Sequence, residues 1–376
     1  MRAIAALSVL SFHAWLYRVG DAPGPRTTLA DKVLFEASLG LICFFVLSGF
    51  LLYRPFARAA LAGRRPVDVG RYALRRAARI IPAYYANVLG CLLLYWAVDY
   101  SAITPSAQQL PLFAVLAQNY SMDTVMQINP VTWTLGVEAA FYVFLPFVAL
   151  IGFLLGPRRV WHQAAIVIGL IGSTVAWNAL VHEAGWGALG SKALPTYIGY
   201  FAIGMLAALW VEWRALRSDR TFSLGSAPTA AVMGLGLSCV AASAYWHETA
   251  GSFTTWWILL QNLPAGAGLS LVIVAAATGA GPAMSWLAAR PLAAIGVISY
   301  GIYLWHLPLI LVVRQLGLLP TTFAPRLTMV LALALAAGTL SWVLVERPIM
   351  RLVAGQRDSR RVIFDRRTSP ARLAEA

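Results

Sequence analysis

Residues 1–20 read MRAIAALSVLSFHAWLYRVG, and the reading of this run decides the fold. Between Arg2 and His13 it holds no other ionisable side chain. As a helix it carries His13 roughly 16 Å along the axis from Arg2, at 1.5 Å of rise per residue. Eleven residues make almost three turns, so the two side chains share one helix face. In a soluble core such a histidine is an ordinary residue satisfied by a neighbour. In a bilayer an ionisable group at that depth is expensive and points to function. The rest of the chain has to decide between the two settings.

It decides for the bilayer. Of 376 residues 60% are hydrophobic, only 12% are charged, and 14 are tryptophan; the mean hydropathy is +0.70. No soluble globular domain has this profile. Apolar runs of about 20 residues, each long enough to cross a membrane as a helix, recur at 2–18, 34–54, 80–98, 132–155, 164–181, 194–212, 228–246, 255–277, 292–313 and 326–345. The pattern predicts an all-α, polytopic integral membrane protein of about ten spans, with one membrane domain over 1–350 and a basic, flexible tail over 351–376. The stretch SFHAWLYRV offers no small-residue cleavage site and a second apolar run follows it, so the first run reads as a retained helix rather than a signal peptide.

The net charge of +14 lies in the short connections and is not interleaved with stacking aromatics, which argues against a nucleic-acid partner. Connection 54–79 carries Arg54, Arg58, Arg64, Arg65, Arg71, Arg75, Arg76 and Arg79 against the single acid Asp68, whereas 99–131 has no lysine or arginine. Positive-inside counting makes 54–79 cytoplasmic and puts both termini there, in a multi-pass protein of the plasma (inner) membrane. Cys43, Cys91 and Cys239 all fall in apolar runs and read as core residues, with no disulfide framework and no metal expected.

Within this frame a few polar residues stand out. LICFFVLSGFLLYRPF holds Ser48 and Gly49, small residues suited either to close helix approach or to a site. In RRAARIIPAYY, Arg76 and Arg79 lie one turn apart just before a span whose Pro82 suits a first helical turn. They can converge on an anion, or simply fix topology. NPVTWTLGVEAAFYVFLP places Glu138 among Trp133, Phe141 and Tyr142 as the only acid well inside a span, and a buried carboxylate needs a partner. His13 or an arginine would serve, and the depths of His13 and Glu138 allow them to meet. ISYGIYLWHLPLI places Tyr303 and His306 in the ninth span, with His306 either interfacial and structural or catalytic; VERPI puts Glu346 at the exit of the tenth.

Taken in order, these stretches resemble the acyltransferase-3 family of integral membrane O-acyltransferases, over nearly the whole chain. Arg2 to His13 is similar to the family's arginine, ten residues, histidine. Phe44 to Gly49 resembles its Phe-Phe-x-x-Ser-Gly, Arg76 to Arg79 its Arg-x-x-Arg, and Trp133 to Tyr142 its Trp-Ser/Thr-Leu-x-x-Glu-x-x-Phe-Tyr. Ser299 to His306 and Glu346 to Pro348 resemble the closing motifs. The family usually carries several residues before its first arginine, whereas here Arg2 follows Met1. The resemblance implies transfer of an acyl group, usually acetyl from acetyl-CoA or another acyl-CoA, to a hydroxyl of a carbohydrate or sugar-containing acceptor, in the short form without a fused hydrolase domain. It implies His13 as general base, Glu138 as its orienting carboxylate, and Arg2, Arg76 and Arg79 around the donor phosphates.

A macrolide or other natural product is the alternative acceptor. A transporter or flippase is the alternative of another class, but no internal repeat supports it. A lipid-linked-sugar glycosyltransferase could use Asp21 and Asp31, yet would leave His13 and the arginine pairs unused.

Overall fold

The computed structural model describes residues 1–17, 28–186, 190–218, 222–250 and 259–353, and the described residues are helical with no strand. Eight helices are long and apolar enough to cross a bilayer, and two shorter apolar ones, Arg2–Leu16 and Leu263–Thr278, join them. The chain is an all-α polytopic membrane protein. Asp21 and the tail from 354 onward lie outside the described residues.

The helices are α1 (Arg2–Leu16), α2 (Leu29–Glu36), α3 (Leu39–Ala62), α4 (Val69–Ala97), α5 (Leu110–Ala114), α6 (Trp133–Leu155), α7 (Val160–Glu183), α8 (Leu194–Arg217), α9 (Ser226–Ala250), α10 (Leu263–Thr278), α11 (Pro282–Leu287), α12 (Arg290–Gln315) and α13 (Phe323–Ser341). A π-helical segment, Trp342–Glu346, follows α13. Local chemistry explains several ends. Thr28 and Asp31 form a reciprocal capping box that starts α2. Gly63, at φ 62°, supplies the left-handed residue that ends α3.

Helix α4 differs most from its sequence expectation. It begins at Val69, eleven residues before the apolar run, because the Asp68 side chain caps it by accepting from the Arg71 N–H. Hydropathy finds only the lipid-facing part of such a helix. Pro82 is therefore interior, and Arg76 and Arg79 sit on the helix rather than ahead of it.

Two large apolar clusters fill most of the interior. One joins α3, α6, α7, α8 and α10; the other joins α1, α4, α12 and α13 with the start of α6. A small third cluster joins α4, α5 and α12 through Cys91, Tyr95, Phe113, Ile128 and Val312. In the first, α3 and α8 pack backbone to backbone. A Cβ on Gly49 would lie 2.0 Å from the Phe201 carbonyl oxygen, and one on Gly204 would lie 1.9 Å from that of Val46. Leu41 and Tyr142 touch both clusters, and the seam between the clusters is where the polar residues gather.

Candidate active site

A cavity of about 70 Å³ occupies that seam, and its polar lining is Arg2, Ser48, Arg76, Arg79, Thr134, Glu138, Tyr142, Ser299, Tyr300 and Tyr303. Five helices contribute: α1, α3, α4, α6 and α12. Most of the residues singled out from the sequence thus converge from positions more than 300 residues apart.

The structure does not join His13 to Glu138. The Glu138 carboxylate accepts a hydrogen bond of 2.8 Å from Ser48 Oγ, faces the Tyr142 hydroxyl, and lies within electrostatic reach of Arg2 and Arg76. Ser48 and Gly49 therefore divide the two roles considered for them, Gly49 packing against α8 and Ser48 holding the carboxylate. Glu138 is also not the only buried acid. Glu212, 2% exposed, pairs with Arg54 at 2.7 Å. Its place at the end of an apolar run, among arginines, concealed it from hydropathy.

The partner of His13 is His306. Helices α1 and α12 run side by side, and His306 Nε2 lies 3.0 Å from His13 Nδ1. His306 is buried in the bundle, 1% exposed. Its Nδ1 lies 3.1 Å from the Ile302 carbonyl oxygen, and His13 Nδ1 lies 3.0 Å from the Val9 carbonyl oxygen. A carbonyl only accepts, so His306 Nδ1 must carry a proton, and in the neutral ring its Nε2 is then an acceptor. His13 Nδ1 faces two acceptors and must carry its proton too. The lone pair of neutral His13 is thereby assigned to Nε2, the nitrogen pointing away from the pair.

Tyr303 connects this pair to the cavity. It lines the cavity, its ring centroid is 5.8 Å from that of His306, and its hydroxyl is 2.8 Å from Thr134 Oγ1. Thr134 and Tyr300 were not singled out from the sequence, since a threonine and a tyrosine in an apolar run look like packing.

Arg79 is committed elsewhere than expected. Its Nη1 lies 3.4 Å from Oε2 of fully buried Glu346, and its guanidinium sits over the rings of Tyr300 and Trp342, at 5.9 and 5.6 Å. These contacts tie α4 to the π-helical segment, while Arg79 also lines the cavity. Among the described residues Arg2 and Arg76 make no hydrogen bond or ion pair, and both line the cavity. Trp133 packs against Tyr197 with the rings tilted by 43° and lies beneath the Lys192 ammonium, outside the cavity lining. Among the described residues no group of His, Cys, Asp and Glu could hold a metal ion.

Inside a helical membrane bundle the structure thus places a buried histidine pair beside a seam of arginines and a carboxylate. The acyltransferase-3 family model, an acyltransferase domain, matches residues 1–346, and the chain belongs to that family. It is an O-acyltransferase. The chain is 25% identical to Nodulation protein 10 of Rhizobium leguminosarum bv. viciae, over 94% of this chain and 92% of that one. It is 25% identical to Putative peptidoglycan O-acetyltransferase YrhL of Bacillus subtilis, over 97% of this chain and 56% of the relative. It is 26% identical to Putative membrane-bound transacylase BcsY of Komagataeibacter xylinus, over 87% of this chain and 82% of the relative. No solved structure matches the chain.

Proposed function

We propose that this enzyme, in the plasma membrane, transfers an acyl group, acetyl in the first instance, from acyl-CoA to a hydroxyl of a carbohydrate or glycosylated acceptor. The observation that carries the reading is the His13–His306 pair, which leaves His13 Nε2 as a fixed lone pair. The acceptor hydroxyl gives its proton to that nitrogen as its oxygen attacks the thioester carbonyl carbon. The C–S bond then breaks, and the departing CoA thiolate takes the proton back from His13. While His13 is an imidazolium, its Nδ1–H donates to His306 Nε2, so His306 holds the tautomer as the carboxylate does in a hydrolase triad.

Arg2 and Arg76 attract the polyanionic donor from the basic side of the membrane. Glu138, held by Ser48, balances their charge and keeps the cavity polar. The peptidoglycan O-acetyltransferase name of one relative favours a glycan over a macrolide.

Release of CoA thiol by the purified protein, in the presence of a glycan acceptor, is the test. His13→Ala is expected to abolish release while the protein stays inserted and folded, and His306→Leu to lower kcat with little change in KM. Near wild-type turnover in His13→Ala would overturn the assignment. Acceptor movement across a membrane with no thiol release would favour a carrier.

A further inference from the structure

Helix α12 carries Pro308 one turn after Leu304, and both residues are buried. A proline has no N–H, so the Leu304 carbonyl oxygen lacks the donor that i→i−4 pairing gives an interior carbonyl, and the ring pushes that carbonyl outward. Hydrocarbon offers it no water, so a donor must come from a neighbouring element. It receives two. Asn87 Nδ2, on α4, donates to it at 3.1 Å, and Asn129 Nδ2, just ahead of α6, donates at 2.8 Å. The second N–H of Asn129 goes to Asn87 Oδ1 at 2.8 Å. Both asparagines are fully buried, and these assignments follow because a carbonyl only accepts.

This clamp stands where the histidine pair is made. His306 lies between Leu304 and Pro308, inside the turn that the proline opens, and its Nε2 meets His13 at 3.0 Å. Asn129 is itself held from several sides. Its carbonyl accepts from the Thr132 hydroxyl at 2.7 Å. The preceding residue, Ile128, is buried in the left-handed region at φ 57°, a costly conformation for a β-branched side chain. The Tyr95 hydroxyl keeps it there by donating to the Ile128 carbonyl at 2.7 Å, as does the Ile128 N–H by donating to the Ile103 carbonyl at 2.7 Å. Strain of this kind persists where the surroundings over-determine a position, here that of Asn129 against α12. Two residues further on, the Val131 carbonyl accepts from the Tyr303 hydroxyl at 3.2 Å, so the same segment grips this part of α12 a second time.

We infer that Asn87 and Asn129 are positioning residues that act through His306: they fix the bend of α12 at Pro308, and with it the distance between the two imidazoles. This rests on the proposed role of the histidine pair and deepens it. With its side chains a helix has a radius of about 5–6 Å, so a change of about 10° in the bend carries the His306 ring through about 1 Å. That opens the contact from 3.0 Å to beyond hydrogen-bonding range. His13 then loses the acceptor that holds its tautomer. Neither asparagine lines the seam cavity, so the effect falls on kcat and not on KM.

Thiol release from acetyl-CoA by the purified full chain, read together with thermal unfolding in detergent, is the test. Asn87→Leu and Asn129→Leu are each expected to lower kcat roughly ten- to a hundredfold with KM unchanged. In a His306→Leu background the same changes are expected to lower kcat no further, since the residue they act through is gone. Pro308→Ala gives the Leu304 carbonyl an N–H within α12. It is expected to fold at least as stably as the wild type, yet to lower kcat as the bend relaxes. Combined with Asn129→Leu it is expected to recover the unfolding midpoint but not kcat. Full activity in Pro308→Ala, recovery of kcat along with the midpoint in that double variant, or an equal loss from the asparagine changes with and without His306 overturns the inference, and the asparagines then only satisfy a carbonyl. Raised KM with kcat unchanged overturns it too. Each of these results leaves acyl transfer standing. Wild-type kcat in His306→Leu overturns the role of the pair, and no turnover by the wild type overturns acyl-CoA as donor; this inference falls with either.

Discussion

Replacing Gly49 by alanine perturbs packing and chemistry through a single atom. The added Cβ would stand 2.0 Å from the Phe201 carbonyl oxygen, where real Cβ contacts do not fall below 3.0 Å. That oxygen belongs to helix backbone and cannot swing aside, so α3 and α8 must separate locally by about 1 Å. Overpacking of a close-packed interface costs typically about 1–3 kcal/mol, and the rigidity of both walls puts this case near 3. The neighbouring residue is Ser48. A shift of that size away from α6 would stretch its 2.8 Å bond to Glu138 to nearly 4 Å, beyond hydrogen-bonding range.

Gly49→Ala is therefore expected to lower the thermal unfolding midpoint in detergent by several degrees and to reduce thiol release even well below that midpoint. Ser48→Ala separates the two effects. It should leave the midpoint within a degree or two, because it adds no bulk, while activity falls as the carboxylate loses its donor. An unchanged midpoint in Gly49→Ala would refute the backbone-to-backbone contact, and full activity in both variants would refute the link to Glu138.

Two further outcomes follow from ion pairs and burial. Arg79→Leu strands the fully buried Glu346 and is expected to cost about 3 kcal/mol, much of which the double variant Arg79→Leu with Glu346→Leu recovers; additive losses in an unfolding assay would show that the pair is not coupled. Burial lowers the pKa of the Lys192 ammonium below that of an ordinary lysine, so the charged form costs more in the folded protein than in the unfolded chain. The cost of the charge is complete below the folded pKa and vanishes as pH rises through the unfolded value near ~10.4. Lys192→Met should then raise the unfolding midpoint at neutral pH and lose that advantage in strong alkali. A lowered midpoint at neutral pH would mean that the contact of its Nζ with the Trp133 ring, at 4.6 Å, outweighs burial.

Spans are legible in this sequence because hydrocarbon demands long apolar runs, and the ten runs each correspond to a helix in the described residues. What hydropathy misses is helix outside the lipid: the first eleven residues of α4 are set by the Asp68 cap and carry arginines that no apolar count would include. Site residues are legible as a set because ionisable groups are rare in such runs. Their pairing is not. Equal depth made His13 and Glu138 plausible partners, but depth says nothing about rotation of a helix about its own axis. That rotation is fixed by contacts such as Gly49 on Phe201, which turns Ser48 toward Glu138, and by the parallel packing of α1 on α12, which turns His13 toward His306. Arg79 shows the same limit, since its partner lies in a π-helical segment that no periodicity announces.

The pairing of the first span with one of the last has a consequence for biogenesis. His13 leaves the ribosome among the earliest residues, and the ring that fixes its proton follows 293 residues later. At roughly 5–20 residues per second this is an interval of about 15–60 s. Throughout it, α1 must rest in the bilayer with an imidazole that has no partner on α12. On the proposed mechanism, chains interrupted before His306 would be inert rather than partly active, and no half-built enzyme would spend donor thioester without an acceptor.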